Sequence, residues 1–316
     1  MKTNLSRRHF IKIGTIVGAG LPLFPSVLKG VNNSFAGNPV RLGGPAPGKY
    51  TDPVEWAKAI KSLKYSTTLS PVQPGAPGEL IKAFREEAKK SNIVIAEVGA
   101  FGNNIMNPDM SARKEAISKN IAALQLADEI GARCCVNTSG ASGEVLNGPS
   151  PGIYSKATFD LLIETVRYII DQVKPVNTFY TLEAMPFMLP DSPDSNLEIM
   201  KAVDRKQLAV HFDPVNMIST PQRYFNNALF LKECFARLGP YIKSIHAKDV
   251  TISKGLVHLE ERRPGLGSLD YTVFLQEASK LKDIPIILEH LNTQEEYKLA
   301  ADYVREVGNK AGILFV

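Results

Sequence analysis

The chain has 316 residues, 44% hydrophobic and 22% charged, which is typical of a globular protein with a large buried core. The formal net charge is +5. Residues 1–36 contain five basic residues and no acidic one, so the rest of the chain carries no net charge. Because nucleic-acid binding needs a basic surface, we expect no nucleic-acid partner.

The basic excess belongs to an N-terminal segment with the pattern of an export signal. Arg7 and Arg8 are paired within residues 6–12, and the apolar, glycine-rich run 13–28 follows. This pattern predicts a twin-arginine signal peptide over residues 1–36, cleaved after Ala36, and a periplasmic mature protein. The alternative is a membrane anchor, but the run is short and contains two prolines, so we expect no stable anchor after cleavage.

The three cysteines do not form the pattern of a disulfide framework. Cys134 and Cys135 are adjacent within an apolar run, and Cys234 is the only other cysteine. An odd count with two adjacent members predicts buried free thiols.

Short apolar runs alternate with amphipathic patterns through the mature chain. Strands are predicted at residues 40–43, 65–69, 93–98 and 134–137, and in four runs that end at Glu183, Asp213, His246 and Glu289. Helices are predicted at residues 52–63, 79–90, 111–130, 155–173, 194–203, 220–238 and 270–281, and from residue 293 onward. A long loop is expected over residues 247–269.

Eight strand–helix units predict an α/β fold, a single-domain (β/α)₈ TIM barrel over residues 37–316. The alternative is a doubly wound open sheet. That fold would favour a glycine-rich dinucleotide turn after the first strand, and residues 43–46 (Gly-Gly-Pro-Ala) do not have this pattern.

The last four predicted strands each end in a residue that can bind a metal: Glu183, Asp213, His246 and Glu289. Strand ends of a barrel converge at one mouth, so these side chains could share one divalent cation. Three carboxylates and one imidazole form a mostly oxygen site, which suits Mn²⁺ best and also Mg²⁺ or Co²⁺. The alternative is that each side chain is solvated or ion-paired by itself.

Three segments carry a family resemblance: Ile245-His246-Ala247-Lys248-Asp249, residues 212–216 (Phe-Asp-Pro-Val-Asn) and residues 262–267 (Arg-Arg-Pro-Gly-Leu-Gly). The chain resembles the xylose-isomerase-like barrels, and more narrowly the sugar phosphate isomerase/epimerase family. The resemblance implies that Glu183, Asp213, His246 and Glu289 are the metal ligands and that Glu183 and Glu289 are also the catalytic acid/base pair.

The expected chemistry is proton transfer next to a sugar carbonyl. A divalent cation stabilises the enediolate that forms when the proton leaves, and carboxylates on both faces can take and return the proton. Return to the same carbon gives epimerisation, and return to the neighbouring carbon gives isomerisation. Loss of a β-substituent gives elimination, so the alternative function is a periplasmic lyase or hydratase acting on 3-keto-glycosides or their glycal products.

Four further residues are candidate substrate contacts. His211 lies two residues before Asp213 and points to the same side of its strand, so it could bind a substrate oxygen. The alternative is a buried histidine that supports a metal ligand. Glu97 ends the third strand and could contact a sugar hydroxyl or pair with Arg41. Asn216 stands where the ketose epimerases have a histidine, and Arg262 could reach a substrate oxyanion.

Of two further classes, the first is disfavoured and the second is an open alternative. An apurinic endonuclease on this barrel would need a trinuclear zinc site with more histidines, and the chain has five, one of them in the signal. A sugar-binding protein without catalysis would keep its ligand affinity in a Glu183→Gln variant. We therefore expect a small sugar or keto-glycoside as the partner, and a homo-oligomer is left open.

Overall fold

The computed structural model describes residues 37–141, 143 and 148–316, and the predicted export signal lies outside these residues. In the described chain ten strands follow one another. They are β1 (Arg41–Gly44), β2 (Thr67–Leu69), β3 (Val94–Gly99), β4 (Cys134–Asn137), β5 (Phe179–Glu183), β6 (Leu208–Phe212), β7 (Ile242–Ala247), β8 (Asp249–Ile252), β9 (Leu259–Arg262) and β10 (Pro285–Leu288).

Helices connect the strands. They are α1 (Pro53–Ser62), α2 (Gly78–Lys90), α3 (Met110–Ile130), α4 (Lys156–Val173), α5 (Pro193–Val203), α6 (Pro214–Met217), α7 (Pro221–Phe225), α8 (Asn227–Leu238), α9 (Tyr271–Ala278) and α10 (Gln294–Lys310), with a short 3₁₀ turn at Gly239–Tyr241. None of the described helices combines the length and apolarity that a membrane span requires.

Eight of the strands form a closed barrel in the order β1-β10-β7-β6-β5-β4-β3-β2, and every pairing in it is parallel. The predicted single-domain (β/α)₈ barrel is therefore confirmed. Closure removes the sheet edges and gathers the carboxyl ends of all eight strands at one mouth. The last strands in the chain are also neighbours around the ring, since β5, β6, β7 and β10 are adjacent.

Local sequence signals account for where several helices begin and end. Asp52 accepts hydrogen bonds from the backbone N–H groups of residues 54 and 55, with a proline at the first turn of α1. Asp109 caps α3 in the same manner, and Gly131 ends that helix in the left-handed conformation. These caps orient helices whose apolar faces cover the barrel. Trp56 of α1, for example, is buried on such a face and packs edge-on against Phe84 of α2.

The loop expected over residues 247–269 is partly wrong, because it contains the antiparallel hairpin of β8 and β9. Asp249 organises it, since its carboxylate accepts hydrogen bonds from four backbone N–H groups, those of Val250, Gly265, Gly267 and Leu269. This hairpin stands at the carboxyl end of β7 and therefore beside the mouth of the barrel.

Barrel closure between β1 and β2 depends on the absence of a side chain at Gly43. A Cβ atom there would overlap the backbone carbonyl of Thr67. We expect Gly43→Ala to lower the free energy of unfolding by about 1–3 kcal/mol, because the backbone must move to accommodate the methyl group. Urea denaturation followed by circular dichroism measures this change.

The matched control is Gly78→Ala at the first residue of α2, where an added Cβ meets no atom within 4 Å. That variant should be neutral or slightly stabilised, since alanine favours helix more than glycine does. Equal stability of the two variants would contradict the close approach of β1 and β2.

Candidate metal centre and active-site cavity

Four predicted residues meet at the barrel mouth. Glu183 ends β5, Asp213 follows β6 directly, His246 lies in β7 and Glu289 follows β10. One ligand-type atom from each lies within 4.8 Å of every other. The four residues are far apart in the sequence, but the strands that carry them are neighbours in the barrel. Closure of the barrel therefore brings their side chains together.

The histidine Nδ1 atom is the centre of the group. It lies 2.7 Å from Oε1 of Glu289, 3.3 Å from Oε1 of Glu183 and 3.9 Å from Oδ2 of Asp213. Asp213 is fully buried, Glu183 and His246 are nearly so, and the Glu289 side chain is 15% exposed. The arrangement concentrates three carboxylates in a poorly solvated space.

Backbone geometry aims one oxygen of Asp213 into this space. Asp213 caps the short helix α6, so its Oδ1 atom accepts hydrogen bonds from the N–H groups of Val215 and Asn216, at 2.9 and 3.2 Å. Its Oδ2 atom and Oε1 of Glu289 are buried, and the Nζ atom of one lysine, Lys248, lies 2.9 and 2.6 Å from them. Buried carboxylate oxygens that converge with an imidazole nitrogen on one point are the ligands that a divalent cation prefers, so this donor set fits the metal predicted from the sequence.

Burial and the neighbouring charges shift the pKa values of these side chains in opposite directions. Burial raises the pKa of Glu183, but the hydrogen bond and the charge of His246 outweigh it and bring the pKa to about 2. Burial lowers the pKa of His246, yet the neighbouring carboxylates raise it well above its ordinary value. At Asp213 burial prevails and raises the pKa to about 6, against the opposing charge of Lys248.

Lys248 was missed by the sequence reasoning. Its side chain is 2% exposed, and its Nζ atom lies 2.6 Å from Oε1 of Glu289, 2.9 Å from Oδ2 of Asp213 and 3.2 Å from Oε2 of Glu261. Burial lowers its pKa, but these carboxylates outweigh burial and raise it well above the ordinary value. The available signal was its place two residues after His246, which puts both side chains on one side of the chain.

Asn216 and Glu97 both reach the site, though Glu97 does so from below. The Asn216 amide donates a hydrogen bond of 2.9 Å to Oε1 of Glu183 and lines the cavity. Glu97 is 1% exposed, and its Oε2 atom lies 3.2 Å from Nε2 of His246. The alternative pairing of Glu97 with Arg41 does not form, because Arg41 binds Asp283 instead, at 2.5 Å.

The other two predicted substrate contacts do not reach the cavity. His211 is buried below it, 3.5 Å from Glu97 and edge-on against the ring of His246. His211 points into the barrel from β6, two residues before Asp213, and so lies one layer of side chains deeper. Arg262 is exposed on β9, where it pairs with Glu260 and contacts Thr251, so the hairpin turns it away from the site.

Above the four residues lies a cavity of about 480 Å³. Its floor carries the charged groups described above, and Glu261 and His290 stand at its edge, 3.0 Å apart. Its walls are largely apolar, formed by Pro45, Leu69, Phe101, Met185, Leu288 and Tyr297. A cavity with apolar walls and converging polar groups is typical of a small-molecule site.

Comparison with known proteins extends this description. Residues 52–307 match the family model described as xylose isomerase-like TIM barrel. The comparison with curated proteins finds no significant match.

Similar solved structures share the fold at low sequence identity. D-psicose 3-epimerase from Clostridium cellulolyticum H10, solved with D-tagatose, is 14% identical, with a TM-score of 0.61 over 84% of this chain and 99% of that one. The 3-keto-D-glucoside 4-epimerase of E. coli is 12% identical, with a TM-score of 0.60 over 84% and 99%. A xylose isomerase-like TIM barrel protein from Mycobacterium smegmatis in complex with magnesium is 18% identical, with a TM-score of 0.59 over 88% and 99%.

These structures are too distant to transfer an activity, but the family match spans most of the chain and agrees with the closed barrel and its mouth. The chain therefore belongs to the xylose isomerase-like TIM barrel family.

Proposed function

We propose that this protein is a divalent-metal-dependent carbohydrate isomerase or epimerase, with Mn²⁺ as the preferred ion. The observation that carries the proposal is the convergence of Glu183, Asp213, His246 and Glu289 on one point at the floor of the cavity. A bound cation would stabilise the negative charge that develops when a proton leaves the carbon next to a sugar carbonyl. Similarity to sugar epimerases supports the substrate class.

In the proposed reaction Glu183 and Glu289 move the proton. Both line the cavity, and they extend from β5 and β10, on either side of His246 of β7. One carboxylate takes the proton from the substrate carbon, and the other glutamate delivers a proton drawn from water to the opposite face. Asn216 holds Glu183 by its hydrogen bond of 2.9 Å, which fixes the direction of that carboxylate.

The size of the cavity favours a second candidate substrate, a 3-keto-glycoside. A volume of about 480 Å³ lies within the range of ~300–1,000 Å³ found for sites that bind drug-sized ligands. It has room for a substituent beyond one sugar ring, and apolar residues such as Phe101 and Met185 could contact that substituent. With a leaving group on the neighbouring carbon, the same proton abstraction would give elimination, and its reverse hydration.

The function is tested by replacing each glutamate with its neutral isostere. We expect Glu183→Gln and Glu289→Gln each to lower kcat by about 10²–10⁴-fold, since neither amide can accept the substrate proton. The measurement is deuterium incorporation from D₂O next to the carbonyl, followed by NMR with Mn²⁺ present, on a panel of free ketoses and 3-keto-glucosides.

Glu295→Gln on the exposed face of α10 is the control and should exchange like the wild type. Exchange that survives both active-site substitutions would overturn the proposal. Exchange confined to keto-glycosides, with loss of the aglycone, would identify the lyase instead of the epimerase.

Lys248 balances the charge of the carboxylates when no other cation does so. With chelator present, we expect Lys248→Met to lower the free energy of unfolding by about 3–5 kcal/mol, because the substitution leaves buried carboxylates uncompensated. With saturating Mn²⁺ the difference should shrink, since the ion supplies the missing charge. Urea denaturation under both conditions measures it.

The matched control is Lys232→Met, an exposed lysine on α8, which should change stability by no more than about 0.5 kcal/mol. A Lys248→Met protein as stable in chelator as this control would show that the lysine does not compensate the cluster.

We also propose that residues 1–36 direct export through the twin-arginine route. Replacing Arg7 and Arg8 together with lysine keeps the charge but removes the paired arginines, so the precursor should stay in the cytoplasm of a bacterial host. Cell fractionation and mass spectrometry of the N-terminus measure the outcome. Replacing Lys2 and Lys29 with arginine is the control and should leave export and cleavage after Ala36 unchanged.

A further inference from the structure

A carboxylate with an unusual set of partners lies beneath the proposed metal ligands. Glu97 of β3 is 1% exposed, and no lysine or arginine pairs with it among the described residues. The hydroxyl of Ser244 donates a hydrogen bond to Oε1, and Nδ1 of His211 lies 3.5 Å from the same oxygen. Oε2 lies 3.2 Å from Nε2 of His246. A buried carboxylate costs several kcal/mol unless such groups compensate it, so this placement requires a reason.

The two ring nitrogens of His246 face different carboxylates. Its Nδ1 atom points to Glu183 and Glu289, whereas its Nε2 atom points to Glu97. A neutral imidazole that binds a cation through Nδ1 carries its proton on Nε2. Glu97 is the acceptor at that position, so its carboxylate selects the tautomer that leaves Nδ1 free.

The barrel interior holds this arrangement from several sides. Ser244 and His246 are two residues apart on β7, so both side chains point inward, and Glu97 reaches them from β3 across the barrel. The ring of His211 packs edge-on against His246 with centroids 4.0 Å apart, which limits rotation of the imidazole. Neither Glu97 nor His246 can turn away without disturbing packed neighbours.

We propose that Glu97 is a positioning residue that orients His246 and strengthens it as a metal ligand through a hydrogen bond from Nε2. The proposal rests on the proposed function, because it needs a cation at Glu183, Asp213, His246 and Glu289. Glu97 also lines the cavity, so its expected contact with the substrate stays a prediction beside this role. The positioning role also explains the burial of a carboxylate beneath a site that already contains three.

A different use of the same atoms is a second metal. Ligand-type atoms of Glu97, His211 and His246 lie within 4.8 Å of one another. His246 would then bridge two ions and would have to lose its Nε2 proton, and Oε1 of Glu97 already accepts from Ser244. The hydrogen-bonded arrangement needs neither change, and the number of bound ions separates the two.

The experiment compares Mn²⁺ binding by wild type and Glu97→Gln, using calorimetry and electron paramagnetic resonance. Glutamine keeps the size of the side chain and removes its charge. We expect one Mn²⁺ per wild-type chain and a Kd raised about 10–100-fold in the variant. Glu97→Asp, which keeps the carboxylate, should recover part of the affinity. The matched control is Glu277→Gln, a buried glutamate of α9 paired with Lys280, and it should bind Mn²⁺ like the wild type.

A second measurement uses the wild-type protein and so does not depend on whether a variant folds. In the Co²⁺-loaded wild type, the Nε2 proton of His246 should give a hyperfine-shifted NMR signal that exchanges slowly with water, because Glu97 holds it in a buried hydrogen bond. Absence of that signal would overturn the proposal. If Glu97→Gln folds, the signal should exchange faster or vanish.

Three results distinguish the possible failures. Equal Mn²⁺ affinity of wild type and Glu97→Gln overturns the role of Glu97 and leaves the proposed function standing. Two ions in the wild type and one in Glu97→Gln overturn it in favour of a second metal. A wild type that binds neither Mn²⁺ nor Co²⁺ overturns the proposed function and this inference with it.

Discussion

Mutual repulsion of buried carboxylates at the barrel mouth is the constraint on which the site depends. Glu183, Asp213 and Glu289 have oxygens within 4.8 Å of one another and little contact with water. Such a group is stable only with positive charge beside it, and Lys248 and His246 supply that charge from β7 and the residue that follows it. The same field attracts a divalent cation, so the stability of the site and its proposed chemistry have one physical origin.

The barrel makes this concentration of charge possible. Parallel strands place their carboxyl ends at one mouth, and each of the four side chains is held by a strand or by the first turn after it. Asp213 shows the effect most clearly, since helix capping uses its Oδ1 atom and leaves Oδ2 to face the other charged groups, 2.9 Å from Nζ of Lys248. Beneath the mouth, Glu97 and His211 form another polar layer inside an otherwise apolar barrel. The rigid strands therefore orient the charged side chains, while the loops and the β8–β9 hairpin shape the walls of the cavity.

Sequence reasoning succeeded where one residue type has one dominant local effect. The helices predicted at residues 52–63 and 111–130 are present, and Asp52, Asp109 and Gly131 bound them because capping depends on neighbours a few residues away. It failed where the outcome depends on a distant partner. Arg262 was expected at the substrate, but its hairpin turns it toward Glu260. Lys248 was overlooked because its role depends on ion pairs with carboxylates from three other segments of the chain. The hairpin itself has strands of four residues, too short to show a clear alternation.

The sequence by itself determined the eight barrel strands and most of the helices between them, the closed parallel barrel and the set of side chains at the strand ends. These follow from hydrophobic periodicity and from capping, which act over a few residues. Only the tertiary structure decided which layer each polar side chain occupies. His211 lies beneath His246, Glu97 reaches the cavity from the layer of His246, and Asn216 and Lys248 line the cavity above. Strand tilt and register set this depth inside a barrel, and neither can be obtained from one strand considered alone.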